Sequence, residues 1–481
     1  MIKSDFNDYQ LSSELLKAIG MLNFKSPTRV QEQVIPAILK QKNLIVKSQT
    51  GSGKTAAFAI PICELVDWDE NKPQALVITP TRELAIQVKD DIFNIGRFKR
   101  LKVSAIYGKS PFDNQVKELK QKTHVVVGTP GRLIDHLQRA TLDLSKIRYL
   151  IIDEADEMLK MGFIEQVESI ITRLPEDHVT ILLSATMPKG IEALCKKYMR
   201  DPLYVEMEDH NSTPDRICQE AYSINQSDKI QLLSDLTIVE NPDSCIIFCN
   251  TQQAVNDVYR ELKNMAYTCG KIHGGMEQTD RVSVMSDFKK GCFRYMVATD
   301  VAARGIDVDN IALVINYDIP RDGESYVHRI GRTGRINNKG KSITFVTEDQ
   351  SNLLVDISQY IGREIDLKAR PEKDTVTCSK NDFFEKINTT PELKETKGMQ
   401  LSKEIMKLHI NAGKKTKMRP VDIVGTLCNI KGVTAEDIGI INVADISTFV
   451  DILNNKGELV FQALQNIPIK GRLRKVSKVG V

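Results

Sequence analysis

The stretch SQTGSGKT, Ser48 to Thr55, sits between an apolar run and the helical pattern AAFAIPICELV. Gly51 and Gly53 let the backbone turn so that successive N–H groups point at one anion, and the following helix adds the positive end of its dipole. Lys54 can then reach the β- and γ-phosphates of a nucleotide, and the Thr55 hydroxyl can hold Mg²⁺. The strict phosphate-loop pattern has glycine where this chain has Ser48. A second stretch, YLIIDEADEML at 149–159, carries four apolar residues straight into Asp153, Glu154 and Asp156. In a parallel α/β sheet ligands collect beyond the carboxyl ends of the strands, so these carboxylates are expected beside the glycine loop. Asp153 then holds Mg²⁺, partly through water. Glu154 positions and deprotonates an attacking water. Asp156 is left for a structural or coupling bond, and the hydroxyls of Ser184 and Thr186 in LLSAT are expected to receive hydrogen bonds from it. HRIGRTGR at 328–335 places three arginines in eight residues, and from it Arg332 and Arg335 are expected to reach a γ-phosphate as arginine fingers.

These residues need a scaffold of strand ends. NLIV (43–46), ALVIT (75–79), VSAIY (103–107), HVVVGT (124–129), YLIID (149–153) and TILLSAT (180–186) are strand-like and almost wholly apolar, as strands covered on both faces are. They alternate with helical patterns, which argues for a parallel α/β sheet. The polar stretch 206–217 interrupts the rhythm, which resumes with SCIIFC (244–249), YMVAT (295–299), ALVINY (312–317) and SITFV (342–346). The expected organisation is a first domain over 1–207, a second over 216–365, an extension or linker over 366–403, and a small α+β unit over 404–481. In that last unit VDIVGTL (421–427), GIINV (439–443), STFVDI (447–452) and RLRKVSK (472–478) are strand candidates, with ELVFQALQ (458–465) at helical spacing.

A chain of 481 residues with 41% hydrophobic and 27% charged residues is ordinary globular protein of about three domains. No apolar run reaches membrane-spanning length and no signal-peptide pattern is read, so the expected location is cytoplasmic. The nine cysteines are odd in number and form no CxxC pair, and are expected to be buried thiols in a reducing compartment. Net charge is +3 for the whole chain, yet residues 404–481 hold twelve Lys and Arg against seven Asp and Glu. A basic C-terminal unit on a near-neutral body points to a polyanion there.

Taken together, in this order and at these spacings, the motifs resemble those of the DEAD-box RNA helicases over about residues 1–365. The resemblance implies two tandem RecA-like domains that share ATP and RNA between them. It makes Gln31 the adenine-reading glutamine and Phe24 the adenine-stacking aromatic. Ser48, Gly51, Ser52, Gly53, Lys54 and Thr55 become the phosphate loop, and Asp153–Asp156 the name-giving motif. Asp156, Ser184, Thr186 and His328 become the elements that couple hydrolysis to strand separation, and Asp307 the ribose-binding aspartate. Thr81, Arg82, Gly108, Thr129, Arg132, Gln278, Arg281 and Thr299 are implied to line the RNA path. One departure is Gly108-Lys109, where the family has paired glycines; Lys109 offers a phosphate contact instead.

The C-terminal unit reads β-α-β-β-α-β, an RRM-like order, and resembles the RNA-binding domain of the bacterial DbpA/YxiN-type helicases. That implies targeting to a hairpin of 23S rRNA during large ribosomal subunit assembly. Lys414, Lys415, Lys417, Arg419, Arg472, Arg474 and Lys475 are the candidate RNA contacts. The third-strand RRM signature is poor, with Ser447 at its first aromatic position, so recognition is expected through basic loops and strand edges, with Phe449 buried. A DNA-directed enzyme and an ATP-gated RNA clamp that does not unwind remain as rivals. The protein is expected to act as a monomer.

Overall fold

Four-residue runs of Val, Ile and Leu become short strands whose two faces serve two different cores. The structure is a computed structural model that describes residues 5–48, 51–207, 217–300, 311–334, 340–389, 401 and 404–479. Its first sheet contains β1 (Leu44–Lys47), β2 (Ala75–Ile78), β3 (Val103–Ile106), β4 (Val125–Gly128), β5 (Tyr149–Ile152), β6 (Val179–Ser184) and β7 (Leu203–Glu206). All are parallel, in the order β3-β4-β2-β5-β6-β1-β7. In β5, Tyr149 and Ile151 join the core on one face while Leu150 and Ile152 join the core on the other. This double burial is why the strand reads as an unbroken apolar run.

The second domain repeats the plan with β8 (Ile217–Ser223), β9 (Cys245–Phe248), β10 (Cys269–Ile272), β11 (Tyr295–Ala298), β12 (Leu313–Asn316), β13 (Gly340–Val346) and β14 (Asp366–Lys368). The order is β10-β11-β9-β12-β13-β8-β14, again all parallel. The expected boundary at 365 moves. β14 pairs with β8, and the helix Lys373–Asn388 sends Val376, Phe383 and Ile387 into the second domain's core. Residues 366–388 are therefore part of this domain, not a linker; most of the polar stretch at 206–217 lies outside the described residues. Cys245 and Cys249 are buried in β9 and after it, whereas Cys218, Cys292, Cys378 and Cys428 are exposed, against the expectation for the cysteines as a group.

The C-terminal unit has an antiparallel sheet of β15 (Met406–Ile410), β16 (Ile438–Val443), β17 (Thr448–Ile452) and β18 (Val476–Lys478), ordered β16-β17-β15-β18. With the helices Pro420–Cys428 and Gly457–Ala463 this is the expected β-α-β-β-α-β order, reached by different assignments. VDIVGTL, expected as a strand, is helical. Pro420 occupies the first turn, the Asp422 carboxylate accepts the Arg419 N–H at 3.0 Å, and Ile423 and Leu427, four apart, are buried. The first strand is instead KLHI, where Leu408 and Ile410 enter the core and Lys407 and His409 point away from it. The last strand candidate shrinks to its final three residues.

Candidate nucleotide and RNA sites

The strand order sets the nucleotide site. β6 lies between β1, which feeds the glycine loop, and β5, which feeds the carboxylates. Two strand spacings of about 4.8 Å hold those loops about 10 Å apart. Ser184 at the end of β6 ties both: its carbonyl accepts the Ser48 N–H at 3.0 Å and its Oγ accepts the Asp156 N–H at 3.2 Å. Gly51 and Gly53 have φ of 82° and 90°, left-handed values that suit glycine. At Gly53 an added Cβ would lie 2.7 Å from Gln31 Nε2, so the glycine also makes room for that side chain. Gln31 caps its own helix, accepting the Thr28 N–H at 3.0 Å, and donates to the Gly53 carbonyl at 3.2 Å. It is thus fastened to the phosphate loop, with Phe24 half-buried on the adjoining core. Ser48 is buried, and Lys54 Nζ donates to its carbonyl at 2.9 Å; Ser48 Oγ meets Ser52 Oγ at 2.6 Å. Thr55 stands in the first turn of the helix Lys54–Leu65.

Asp153 is buried and titrates at about 7, raised chiefly by desolvation; Lys54 pulls it down while Glu154 and Asp156 push it up. A buried carboxylate beside a helix-terminal hydroxyl is a hard oxygen donor set, which fits Mg²⁺. Glu154 adopts φ 55°, ψ 52°, a left-handed conformation uncommon outside glycine and one that stores strain at the head of the next helix. Asp156 gathers several donors from the turn after β6. One carboxylate oxygen accepts the Ala185 N–H at 3.2 Å, the Thr186 N–H at 2.9 Å and Thr186 Oγ1 at 3.1 Å. The Ser184 hydroxyl receives a bond from Asp156, as the sequence suggests, through the backbone N–H, and it donates to the Thr186 carbonyl at 2.6 Å.

The second domain meets this corner through the helix Gly323–Ile330. His328 Nδ1 lies 3.3 Å from Glu157 Oε1, and Glu324 accepts from Lys160 Nζ at 2.6 Å and from Thr186 Oγ1 at 3.4 Å. Glu157, Lys160 and Glu324 had not been singled out; Glu324 and His328 are four apart, which puts them on one helix face. Arg332 is buried in the second domain. Arg329, the remaining described arginine of that motif, is structural: its guanidinium binds Asp300, Asn250 and the Asp318 carbonyl. Arg335 and Asp307 lie outside the described residues.

Of the residues expected on an RNA path, Arg82, Arg132, Gln278 and Arg281 come together. Thr81 caps the helix Arg82–Ile95 by accepting the Leu84 N–H, and Thr129 precedes the helix Pro130–Gln138. Arg132 Nη1 donates to the Ser110 carbonyl at 2.9 Å, and Thr299 is buried at the end of β11. Across the domain boundary, Arg281 Nη2 is 3.0 Å from Glu83 Oε2, Gln278 Nε2 donates to Glu83 Oε1 at 2.9 Å, and Arg82 Nη1 reaches Gln278 Oε1 at 3.4 Å. Burial holds the Arg82 pKa below its usual value; Glu83 opposes this and the neighbouring Arg281 and Arg132 add to it. Three guanidiniums thus crowd one small area, an arrangement suited to a phosphate backbone. An added Cβ at Gly108 would meet the Arg82 guanidinium at 3.4 Å, and Lys109 has φ 58°. The lysine therefore keeps a glycine-like backbone where the paired glycine is missing. Glu83, next to Arg82 in the chain, is not among the residues the sequence singles out.

Residues 28–194 match the family model of the DEAD/DEAH box helicase, 228–337 that of the helicase conserved C-terminal domain, and 407–478 that of the DbpA RNA binding domain. Over 475 residues, 99% of both chains, the sequence is 55% identical to the ATP-dependent RNA helicase DbpA of Bacillus subtilis (strain 168). The chain belongs to the DEAD-box RNA helicases. It is 42% identical over 369 residues to the DEAD-box ATP-dependent RNA helicase CshA of Bacillus licheniformis, covering 77% of this chain and 76% of that one. Among solved structures it resembles S. cerevisiae Dbp5 bound to RNA and ADP BeF3, with TM-score 0.71 and 32% identity over 80% of this chain and 100% of that one. This DEAD-box helicase is an RNA-dependent ATPase of the DbpA type, and ATP is its nucleotide.

In the C-terminal domain of the helicase the two basic groups come together. Lys470 Nζ donates to the Lys417 carbonyl at 2.6 Å and to Asp422 at 3.1 Å, binding the 414–419 loop to the loop before β18. Lys414, Lys415, Lys417, Arg419, Arg472 and Lys475 are exposed and Arg474 is partly so. Val421 and Leu473 stand among them at 62% and 66% exposure, an apolar surface a base can rest on. Phe449, expected to be buried, is half-exposed on the outer sheet face, its ring 5.1 Å from that of His409.

Proposed function

We propose that this helicase separates short RNA duplexes locally and is directed by its C-terminal domain to a hairpin of 23S rRNA during assembly of the large ribosomal subunit. It works in the cytoplasm, as a monomer, on pre-ribosomal particles. Ser48, Gly51, Ser52, Gly53, Lys54 and Thr55 hold the phosphates; Gln31 and Phe24 hold the adenine, and Asp307 the ribose. Thr55 and Asp153 bind Mg²⁺, the latter partly through water, and the ion supplies charge neutralisation to the phosphates. Glu154 takes the proton of the attacking water. Arg332 and Arg335 complete the site from the second domain, so hydrolysis requires both domains together. Asp156, Ser184, Thr186 and His328 relay that closure to Thr81, Arg82, Gly108, Thr129, Arg132, Gln278, Arg281 and Thr299 on the RNA. ATP and RNA then favour the same closed arrangement, and each tightens the other.

The observation that supports targeting is the joining of the 414–419 and 470–475 loops into one exposed basic surface on an RRM-like fold. The test is the steady-state ATPase rate with large-subunit rRNA, with poly(A) and with no RNA, at one fixed salt concentration. The full chain is compared with the triple variant Lys415→Glu, Lys417→Glu, Arg472→Glu. Strong stimulation by rRNA and little by poly(A), with the preference lost in the variant, is the expected result. Equal stimulation by both RNAs, or a variant that keeps its preference, would overturn the targeting.

A further inference from the structure

The RRM-like sheet has two faces. Leu408, Ile410, Val450 and Ile452 turn one of them to the helices and form the domain's core. The other carries His409, Phe449 and Asp451 and ends at Leu453; His409 and Phe449 are half-exposed, while the Asp451–Leu453 end is covered. Asp451 is buried there, with Arg97 Nη2 of the first helicase domain 3.3 Å from its Oδ2; the side chains are 2% and 13% exposed. Leu453, Leu401 and Ile405 pack with Ala18 and Phe98 of the first domain in one apolar cluster, bordered by Met21 and Leu22.

Four cations of the first domain are each aimed at an acceptor on the C-terminal domain. Besides Arg97, Arg100 Nη2 donates to the Ala435 carbonyl at 2.7 Å, Lys102 Nζ to the Ile441 carbonyl at 2.8 Å, and Lys17 Nζ to Asn454 Oδ1 at 2.8 Å. Ile441 lies on β16, the edge strand, whose outward carbonyls are otherwise a template for foreign strands. The contact thus has an apolar centre, a buried ion pair and a cationic rim matched to acceptors.

The basic loops occupy the other end of the same sheet. β16 and β17 pair from Ile438↔Ile452 to Val443↔Thr448. Asp451 and Leu453 sit at the first end; Lys414 and Lys415 donate their N–H groups to the Ala444 and Asp445 carbonyls at the second. Four steps of strand separate the ends by about 14 Å, and Lys102, bound at Ile441 between them, is near enough to Lys414 to feel its charge. We infer that the Asp451–Leu453 end of the outer face and the β16 edge of the C-terminal sheet are an intramolecular docking surface for the first helicase domain, which leaves the basic loops at the other end of that sheet for RNA. The dock carries those loops as a fixed part of the first domain. This inference rests on the contacts alone and stands whether or not the RNA is ribosomal.

The experiment measures energy transfer in the full chain without RNA. One dye is on the helix Phe112–Leu119 and one on Cys428, with the other exposed cysteines replaced by serine. A single high-transfer population is expected. Arg97→Glu, on the first domain's surface, should lower the docked-to-undocked ratio on the order of a hundredfold, because a buried charge loses its partner. The swap Arg97→Asp with Asp451→Arg should recover most of the transfer. Lys102→Gln is a milder second variant that leaves the C-terminal core untouched, and far-ultraviolet circular dichroism with a cooperative thermal melt reports that each variant is folded. Transfer unchanged in Arg97→Glu and Lys102→Gln, or low in the full chain itself, would overturn the dock.

Discussion

Glu83 clasps the two halves of the proposed RNA path to each other, and its replacement by glutamine measures how firmly. Both carboxylate oxygens are used, one 3.0 Å from Arg281 and one accepting from Gln278 at 2.9 Å, with side chains only 8% and 7% exposed for the ion pair. Glutamine has the same size but keeps one acceptor and turns an NH₂ group towards a donor. A hydrogen bond to a charged group contributes about 1.5–3 kcal/mol and a neutral one about 1 kcal/mol, so the exchange weakens the clasp by roughly 1–2 kcal/mol. RNA phosphates need the same guanidinium, and apparent affinity scales with the fraction of molecules in which it is available. Glu83→Gln is therefore expected to tighten nucleotide-free binding of a single RNA strand about tenfold. Fluorescence anisotropy with a labelled oligo(A), at one fixed salt concentration, measures this directly. Affinity that stays level or falls would refute the reasoning, because Glu83 would then be helping to present Arg281 to RNA instead of competing with it.

Glu154→Gln should preserve ATP binding and cut turnover by about 10²–10⁴, the usual contribution of a general base, as single-turnover hydrolysis would reveal. Gln31→Ala removes the bond to the Gly53 carbonyl, and should raise the KM for ATP several-fold with a smaller effect on kcat if its main work is fastening the phosphate loop. His124 is fully buried, accepts the Lys102 N–H at Nδ1, and has its pKa lowered by desolvation to about 4. Below pH 6.5 the unfolded chain takes up a proton that the folded chain refuses, so stability is lost as pH falls from 6.5 towards 4, by about 2 kcal/mol at pH 5. Denaturant midpoints at pH 7 and pH 5 should therefore differ more in the wild-type protein than in His124→Gln; equal differences would discount this histidine.

The parts legible in the sequence were those written in contiguous residues. SQTGSGKT and DEAD each carry their own loop and strand, and double burial turns interior strands into apolar runs such as VVVG. Strands that are exposed or alternating escaped: β14 is exposed at all three positions, and β15 buries only every second residue. VDIVGTL misled because its β-branched residues outvoted the four-residue spacing of Ile423 and Leu427. Pairs such as Glu83 with Arg281, or Arg97 with Asp451, join residues far apart in the chain on different domains, and no local pattern encodes them. The cationic members of the RNA path stood out by motif, while the anion that holds them did not.

The helix Lys373–Asn388 sets a length. It is anchored to the second domain by its apolar face, by Lys386 Nζ on the Asn241 carbonyl and by Lys386 with Asp243. The leash to the C-terminal domain consequently starts at Thr389, and Leu401 is already seated against the first domain. Twelve peptide steps lie between those residues, which fully extended reach about 40 Å. While the dock holds, the gap between those two anchor points cannot exceed that reach. Lengthening the leash would widen the stroke of the motor and dilute the effective concentration of one half for the other.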